Sequence, residues 1–473
     1  MVAGRTGLGG LAGLPALPQH AGAGALVALV VAGLLVLAPA LTLVGLAAGL
    51  VALRVAFRPE TAAYVLIFTT PLIVGVDRGL IFPLLRPSEA VGLLVGGALA
   101  ARGIVAMVTG ERRTFRFTTV DATILLLAVT SSVLPLMWML ARSRSITQDD
   151  LLYALTLWKY FGVYLIVRVG IRTARQVRTC LVLSLAAGVV VAIVAVLQAV
   201  QLFGVPSLLA GYFAPFGDEA ALNINRGTST LASSLATADV LTFNLAIALG
   251  WLVRGATARL LLAGAAVVFV FGILASGQFS GVIALVVAAL AVGFLTRRLL
   301  RGAVAAVPVV VTAGILLQPV LQERLDRVDP SRGLPSSWIG RLDNLQRFFW
   351  PELATDFNFL LGVRPSARIA APESWRDYVY IESGHTWLLW NGGIAFFAAF
   401  LLFLWTALRA VGRVARRRTD AIGVAAIACY AALAVVGVLM TFDPHLTLRG
   451  AADLLFSLLA LALVPAEESE EQG

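Results

Sequence analysis

The stretch TCLVLSLAAGVVVAIVAVLQAVQ, from Thr179 to Gln201, sets the fold class because it carries no charged residue over a length that can cross a bilayer. A helix of about 20 residues spans roughly 30 Å of hydrocarbon. In lipid such a run can only be helical, since its backbone N–H and C=O groups must be satisfied within the segment. The stretch therefore predicts a membrane-spanning helix.

Comparable apolar runs recur along the chain. Of its 473 residues, 59% are hydrophobic and only 13% are charged, and the mean hydropathy is +0.91. We therefore predict an all-α polytopic membrane protein with about 14 transmembrane helices and one large extracytoplasmic loop bearing amphipathic helices. The predicted helices lie at residues 23–38, 41–56, 60–76, 88–108, 120–140, 150–169, 179–201, 233–252, 258–275, 279–295, 302–319, 386–408, 421–440 and 448–465.

The net charge of +10 indicates an orientation in the membrane and does not require a nucleic-acid partner. With both termini in the cytoplasm, most arginines fall on the inner side, including the runs at 168–178 and 409–418. An excess of Lys and Arg on the cytoplasmic side is the rule for multi-pass proteins. The lipid bilayer is the expected partner, and no nucleic acid is expected. The two cysteines, Cys180 and Cys429, predict neither a disulfide framework nor a metal site.

Four parts follow one another along the chain. Residues 1–319 contain predicted helices 1–11 and an outer loop at 202–232, residues 320–384 form the large extracytoplasmic loop, residues 385–466 hold helices 12–14, and residues 467–473 are an acidic cytoplasmic tail. The large loop is far longer than ordinary helix connections, which is typical of lids and binding loops. Its stretch GRLDNLQRFFWPELATDFNFLLG predicts an amphipathic helix on the outer surface of the bundle.

Arg226 is a candidate for phosphate binding. It stands in NINRGTSTLASSLATADV, just before predicted helix eight, and small hydroxyl residues follow it. The free N–H groups and positive dipole end of a helix start suit anions, and a guanidinium adds a bidentate clamp. The alternative is that Arg226 reaches to lipid headgroups.

Arg341 and Arg347 both lie in the predicted loop helix, within SSWIGRLDNLQRFFW. Taken alone, Arg341 reads as an exposed arginine on an amphipathic helix. Arg347 is the next choice from the same helix for a contact with substrate.

Glu382 and His385 lie three residues apart in YVYIESGHTWLLWNGGIAFF, at the start of predicted helix twelve. They would share one face if that helix begins early. A carboxylate and an imidazole at the membrane exterior are candidates for a general base. The alternatives are that Glu382 caps the helix and that His385 lies at the membrane interface beside Trp387.

Several other polar residues have two readings. Lys159, the single lysine, lies inside predicted helix six and contacts either substrate or a structural partner. Arg86 in LLRPSEAV is another candidate for anion binding at the outer face. The adjacent acids Asp149 and Asp150 could serve a metal, although no histidine cluster supports them. The stretch TFDPHLTLR places Asp443, His445 and Arg449 in the last outer loop. They either join the same outer surface or only form a turn.

Motifs in the order seen here are typical of one enzyme family. NRGTSTLASSLATA is similar to an arginine-led R-x-x-G-T-F stretch that opens a mid-chain helix, and ILASGQFSG is similar to T-x-S-R-G with Gln278 in place of the arginine. SSWIGRLDNLQRFFW followed by NFLLGVRP places Arg341 on the arginine of an S-x-x-x-R segment. Across most of its length the chain thus resembles the O-antigen ligase and O-antigen polymerase superfamily of bacterial membrane glycosyltransferases.

The end of the large loop departs from the ligase pattern. In that pattern H-N-x-Y-L precedes a glycine by eleven residues, and counting back from Gly393 gives Glu382, with His385 at the usual aromatic position. Other members carry an acidic residue there, and ESGHTWLLWNGG is closer to their D-N-G-Y-L form. The identity of the base, Glu382 or His385, stays open. The departure favours a polymerase-like or divergent transferase over a strict lipopolysaccharide ligase.

The resemblance implies a bacterial cytoplasmic-membrane enzyme whose active site faces outward. Its donor would be a polyprenyl-pyrophosphate-linked glycan and its acceptor a glycan or glycolipid, with no metal and no cofactor. Arg226 and Arg341 would bind the pyrophosphate, with Arg86 added as a candidate from its own sequence context, and Glu382 or His385 would be the base. A transporter or flippase of lipid-linked sugars is the alternative, favoured by Lys159 and the helix count, and a scaffold without chemistry is a third reading.

Overall fold

The computed structural model describes residues 39–81, 85–110, 116–213, 226–297, 336–372 and 377–465, with isolated positions between 311 and 335. Most of these residues are α-helical. The chain divides into two units, Met1–Arg54 and Val55–Gly473. The described part of the first unit is helical, and the buried core belongs to the second.

The N-terminal helices of the described chain are α1 Pro39–Phe57, α2 Glu60–Ile73, α3 Pro87–Val108, α4 Thr119–Ala141, α5 Gln148–Ala154, α6 Thr156–Gly170, α7 Ala174–Ala199, α8 Val205–Tyr212, α9 Ser234–Val253, α10 Arg259–Ala275 and α11 Phe279–Thr296. A short 3₁₀ turn, Ser229–Leu231, precedes α9.

The C-terminal part begins with a two-stranded antiparallel pair, β1 Val328–Asp329 and β2 Leu334–Pro335. Its helices are α12 Ser336–Asn344, α13 Trp350–Ala354, α14 Asn358–Leu361, α15 Gly384–Arg417, α16 Ala421–Leu439 and α17 Ala451–Ala462, with a π-helical segment at Leu345–Phe349 and a 3₁₀ turn at His445–Thr447. A second antiparallel pair, β3 Arg368–Ala370 and β4 Tyr378–Tyr380, lies between α14 and α15.

Eight helical segments of the described chain are long and apolar enough to cross a membrane, which suggests a multi-pass membrane protein. They are α3, α4, α5 with α6, α7, α9, α11, α15 and α16, while α2, α10, α17 and residues 42–57 of α1 are shorter apolar helices. The nearly all-α class is therefore confirmed, and about 14 spans stays a prediction. The predicted helix 23–38 lies outside the described residues, as do most of 302–319 and residues 214–225 of the predicted outer loop.

Several helix bounds correct the prediction. Predicted helices 88–108, 120–140 and 279–295 agree with α3, α4 and α11 to within one residue. Predicted helix 150–169 is instead two helices, α5 and α6, which meet at Leu155. The helix α15 begins before predicted helix 386–408 and ends after it. The helix α17 is shorter than predicted helix 448–465 at both ends.

Side-chain caps explain where several helices begin. A hydroxyl that accepts from the N–H three residues later, with an acid or amide that accepts in return, satisfies two helix-end donors. This pairing starts α7 at Ala174, before the apolar run that predicted it at 179. The capping pairs are Thr118 with Asp121, Thr147 with Asp150, and Thr173 with Gln176.

The centre of the bundle is formed by α9 and α16, whose spans are the most buried of the eight. Small residues allow this close approach, as in the alanine-rich sequence of α16. On α10, a Cβ added at Gly272 would lie 2.6 Å from Leu241 and 3.0 Å from Ala192. Glycine therefore allows the close approach of α10 to α7 and α9.

A kink at Gly392 and Gly393 divides α15. Gly393 has φ +62°, and a Cβ there would lie 2.2 Å from the carbonyl carbon and oxygen of Leu360. The chain after α14 fills the kink, and the Val363 N–H donates to the Trp390 carbonyl at 2.6 Å. Broken helices are tolerated in membrane proteins where other protein groups satisfy the freed backbone.

Candidate active site

A cluster of charged side chains lies where α12, the start of α15 and the turn before α17 meet. Arg341 Nη1 donates to Asp443 Oδ2 at 2.7 Å, and Arg341 Nε lies 3.5 Å from Glu382 Oε1. The exposed fractions of these side chains are 21% for Arg341, 36% for Glu382 and 7% for Asp443. One cation therefore faces one accessible and one buried carboxylate. We call these three residues the Arg341 cluster.

Packing and backbone bonds hold each member of the cluster in place. On α12 the Trp338 ring lies 4.9 Å from the Phe442 ring, which brings the helix against the turn that carries Asp443. Glu382 follows β4, and the neighbouring Ile381 N–H donates to the Ala367 carbonyl at 3.1 Å. The cluster thus joins residues that are distant in sequence.

His385 lies beside the cluster, but the structure corrects its predicted relation to Glu382. The N-cap of α15 is Ser383, whose Oγ accepts from the Thr386 N–H at 3.3 Å. Glu382 therefore precedes the helix. It does not cap the helix, and it does not share a helical face with His385. The His385 N–H donates to the Met440 carbonyl at 3.2 Å, and its ring lies 6.0 Å from the Phe397 ring.

Arg226 is half-buried at the start of the segment that leads into α9. The next residue, Gly227, donates its N–H to the Ala275 carbonyl at 2.9 Å. A Cβ at Gly227 would lie 2.7 Å from the Ala195 carbonyl oxygen. The Gln198 side chain of α7 binds the next two residues, accepting from the Ser229 N–H at 2.8 Å and donating to the Thr228 hydroxyl. The segment is thus firmly held against α7 and the end of α10.

Arg86 and Lys159 each have charged neighbours away from the Arg341 cluster. Arg86 is the N-cap residue of α3, and burial followed by the charge of Arg449 lowers its pKa to about 10. Lys159 Nζ lies 3.9 Å from Asp453 Oδ2 and 4.4 Å from the centre of the Tyr160 ring. The structure thus gives Lys159 a structural partner, which is one of the two readings of this residue.

The structure also shows the surroundings of Arg347 and of the acids of α5. Arg347 is exposed, with its guanidinium 4.9 Å from the centre of the Phe348 ring. Arg364 pairs with Asp150 at 2.6 Å, and Arg368 pairs with Asp149 at 2.5 Å. These carboxylates fasten the segment before α15 to α5. Because both are paired with arginines, the structure does not support a metal site at the adjacent acids.

Sequence reasoning gave too little weight to three residues. The sequence gives Asp443 and His445 two readings, a site or a turn, and Asp239 of α9 is not among its candidates. His445 Nδ1 lies 2.6 Å from Asp239 Oδ2, and both side chains are at most 1% exposed. Asp239 is the single charged residue in α9, and His445 is one of three histidines. Ionisable residues within a membrane helix mark function more often than chance, and this signal could have found the pair.

The chemistry available to the Arg341 cluster follows from its geometry. Burial raises the pKa of the Asp443 carboxyl, and the charges of Arg341 and His445 oppose that rise. Glu382 is the accessible carboxylate and can accept a proton from a hydroxyl group brought beside it. Arg341 carries five N–H donors in a fixed fork, so donors remain for an oxyanion after its bond to Asp443.

The chain matches no known protein-family model, and no curated protein matches it either. The likeness to O-antigen ligases and polymerases therefore stands on the quoted motifs alone.

Proposed function

We propose that the protein is a membrane glycosyltransferase that acts on polyprenyl-pyrophosphate-linked glycans. The glycan would pass to an acceptor sugar hydroxyl, and polyprenyl pyrophosphate would be released. The reaction would take place at the outer face of a bacterial cytoplasmic membrane, with about 14 spans and both termini inside. The observation that carries the proposal is the pairing of Arg341 with Glu382, a cation beside an accessible carboxylate at one end of the bundle.

The reaction needs a base and an oxyanion holder within reach of one substrate. Glu382 takes the proton of the acceptor hydroxyl, whose oxygen forms a bond to the anomeric carbon of the donor sugar. The bond from that carbon to the pyrophosphate oxygen breaks at the same centre, and the electron pair leaves with the pyrophosphate. Arg341 stabilises the negative charge that develops there. His385, the second residue of α15, is the alternative base.

Electrostatics require a second cation beside Arg341. With Glu382 and Asp443 ionised, the Arg341 cluster carries a net negative charge, which opposes the binding of a pyrophosphate. Arg226, half-buried before the N-terminus of α9, is the residue proposed to supply that charge. The transfer then needs no metal, because two guanidinium groups neutralise the leaving group.

The decisive experiment uses the purified protein in proteoliposomes with a defined polyprenyl-pyrophosphate oligosaccharide and an acceptor glycan. Wild type should release polyprenyl pyrophosphate and extend the acceptor, and EDTA should not change the rate. Arg341→Ala and Arg226→Ala should each lower the rate about 10²–10³-fold, as loss of an oxyanion donor does. Glu382→Gln should lower it about 10²–10⁴-fold if it is the base.

Arg144→Gln serves as the matched control, because Arg144 forms an exposed ion pair with Glu352 in the same part of the chain. It should transfer glycan at the wild-type rate. Transfer at that rate by both Arg341→Ala and Glu382→Gln would refute the proposal. Movement of unmodified donor across the bilayer, without transfer, would establish the transporter instead.

A further inference from the structure

The Asp239–His445 contact joins α9 to the turn that carries Asp443. His445 begins the 3₁₀ turn His445–Thr447, and its Nδ1 lies 2.6 Å from Asp239 Oδ2 on α9. At the other end of the turn, the Tyr160 hydroxyl donates to the Thr447 carbonyl at 3.0 Å. The turn is therefore fixed from two helices, α9 and α6.

Residues 440–447, which we name the 440–447 turn, contact both halves of the proposed site. Asp443 holds Arg341 at 2.7 Å, and the Phe442 ring packs on Trp338 of the same helix. On the other side, the Met440 carbonyl accepts from the His385 N–H at 3.2 Å. The turn also leaves no space at Gly384, where a Cβ would lie 2.6 Å from the Met440 carbonyl oxygen.

The buried pair is directional but not an efficient source of stability. Removing two ionisable groups from water is costly, and an apolar pair of similar size is often equally stable or more so. Within the described part of the chain, Asp239 Oδ1 and His445 Nε2 have no hydrogen-bond partner, which adds to that cost. What the pair provides is one short bond of fixed direction between α9 and the 440–447 turn.

We infer that Asp239 and His445 are positioning residues of the proposed transferase site. Their bond fixes the 440–447 turn, Asp443 on that turn sets the direction of Arg341, and Met440 sets the start of α15 beside Glu382. The inference rests on the proposed function for its catalytic meaning. The coupling between the pair and Arg341 is a property of the fold alone.

Three variants separate positioning from stability. Asp239→Asn keeps an oxygen that accepts from the His445 ring, so its transfer rate should stay within about threefold of wild type. Asp239→Leu, nearly the same shape, cannot accept, and its kcat should fall about tenfold or more while KM changes little, because misplacement of a catalytic group acts on the transition state. Thr242→Val is the control and should not change the rate, because among the described residues the Thr242 hydroxyl bonds only to Ala238 of its own helix.

The double variant Asp239→Leu/His445→Met replaces the whole pair by apolar groups. It should unfold at or above the wild-type temperature and still lose transfer at least tenfold. A stable double variant with wild-type kcat would overturn the inference. Full activity of Asp239→Leu would overturn it as well.

A double-mutant cycle tests the coupling without any enzyme assay. Unfolding temperatures of Asp239→Leu, Arg341→Gln and their combination should be non-additive, since the two positions share the 440–447 turn. Additive shifts would refute positioning even if the transfer reaction is confirmed. Non-additive shifts in a protein without transfer activity would instead refute the proposed function and leave the coupling standing.

Discussion

Arg341 lies between two carboxylates whose surroundings assign them different tasks. Asp443 is 7% exposed and holds the short bond at 2.7 Å, so it orients the guanidinium. Glu382 is 36% exposed and lies at 3.5 Å, so it is the carboxylate to which the proposed reaction assigns the proton of the acceptor hydroxyl. One buried carboxylate thus orients the cation while the other stays accessible, a division of roles that two equally buried ion pairs would not provide.

The titration of Asp443 gives a prediction with a definite sign. Burial raises the pKa of this carboxyl, while Arg341 and His445 oppose the rise. Because the folded-state pKa lies above the ordinary value of about 4, the stability contribution is fully present below that value and is lost as pH rises through the folded pKa. The melting temperature of Asp443→Asn minus that of wild type should therefore increase with pH over this window and then level off.

Asp420, the N-cap residue of α16, is a control of opposite sign. Burial raises its pKa, but the bonds from Arg418 and the Gly423 N–H outweigh burial and lower it. The stability that Asp420 contributes is present above the ordinary pKa and is lost as pH falls through the folded pKa. The melting temperature of Asp420→Asn, lower than that of wild type at neutral pH, should therefore approach the wild-type value in acid. A difference curve for Asp443→Asn that follows the Asp420 curve would show that Arg341 dominates over burial.

Local sequence motifs are enough to predict two members of the Arg341 cluster but not the third. Arg341 and Glu382 were identified because local motifs place them, and the structure brings the two together. Asp443 could not be assigned from sequence, because its role depends on a turn that packs against a helix about a hundred residues away. The Asp239–His445 bond depends likewise on tertiary packing, although an acid inside an apolar helix signals it.

At the scale of the element, the kink of α15 determines where the segment before it can lie. Gly393 has φ +62°, and a Cβ would lie 2.2 Å from the Leu360 carbonyl. Gly393→Ala should therefore cost about 4 kcal/mol or more, the range of strain that no side-chain rearrangement relieves. Gly264→Ala on α10, where a Cβ meets nothing within 4 Å, should instead gain about 0.5–1 kcal/mol. Unfolding in detergent mixtures measures both, and equal effects would contradict the close-contact account.

The ion pairs that fasten the segment before α15 differ in burial and should differ in energy. Asp150 is fully buried beneath Arg364, whereas Arg144 and Glu352 are both substantially exposed. Arg364→Gln should cost about 3 kcal/mol, because it leaves a buried carboxylate with weaker partners. Arg144→Gln should cost at most about 1 kcal/mol.

Limited proteolysis after Leu361 and unfolding curves measure the two effects together. Release of the segment should accelerate in Arg364→Gln and stay unchanged in Arg144→Gln. Similar losses in both variants would show that burial of Asp150 does not set the strength of this contact.

Helix existence was more predictable than helix ends. Apolar runs gave α3, α4 and α11 nearly to the residue, because lipid leaves no other backbone structure. The start of α7 depends on the cap at Thr173, outside the apolar run, and the end of α15 depends on how far the arginine-rich turns stay helical. Such ends depend on polar groups that hydropathy does not weigh.

At the scale of the whole molecule, the distribution of charge predicts an orientation in the membrane. The helix α15 carries the site at its first turn and Arg409, Arg413, Arg416 and Arg417 toward its last turns. Positively charged helix ends stay in the cytoplasm. The Arg341 cluster should then face outward, on the side where the proposed transferase would meet its lipid-linked donor.

Cysteine labelling in right-side-out spheroplasts tests this orientation. Cys180 and Cys429 are both buried, so the wild-type background with a membrane-impermeant maleimide should be low. Asp377→Cys, exposed just before β4, should be labelled in intact spheroplasts. Thr419→Cys, exposed beyond the arginines of α15, should be labelled only after the membrane is opened. The reverse pattern would place the Arg341 cluster in the cytosol, where an outward-facing transferase cannot use it.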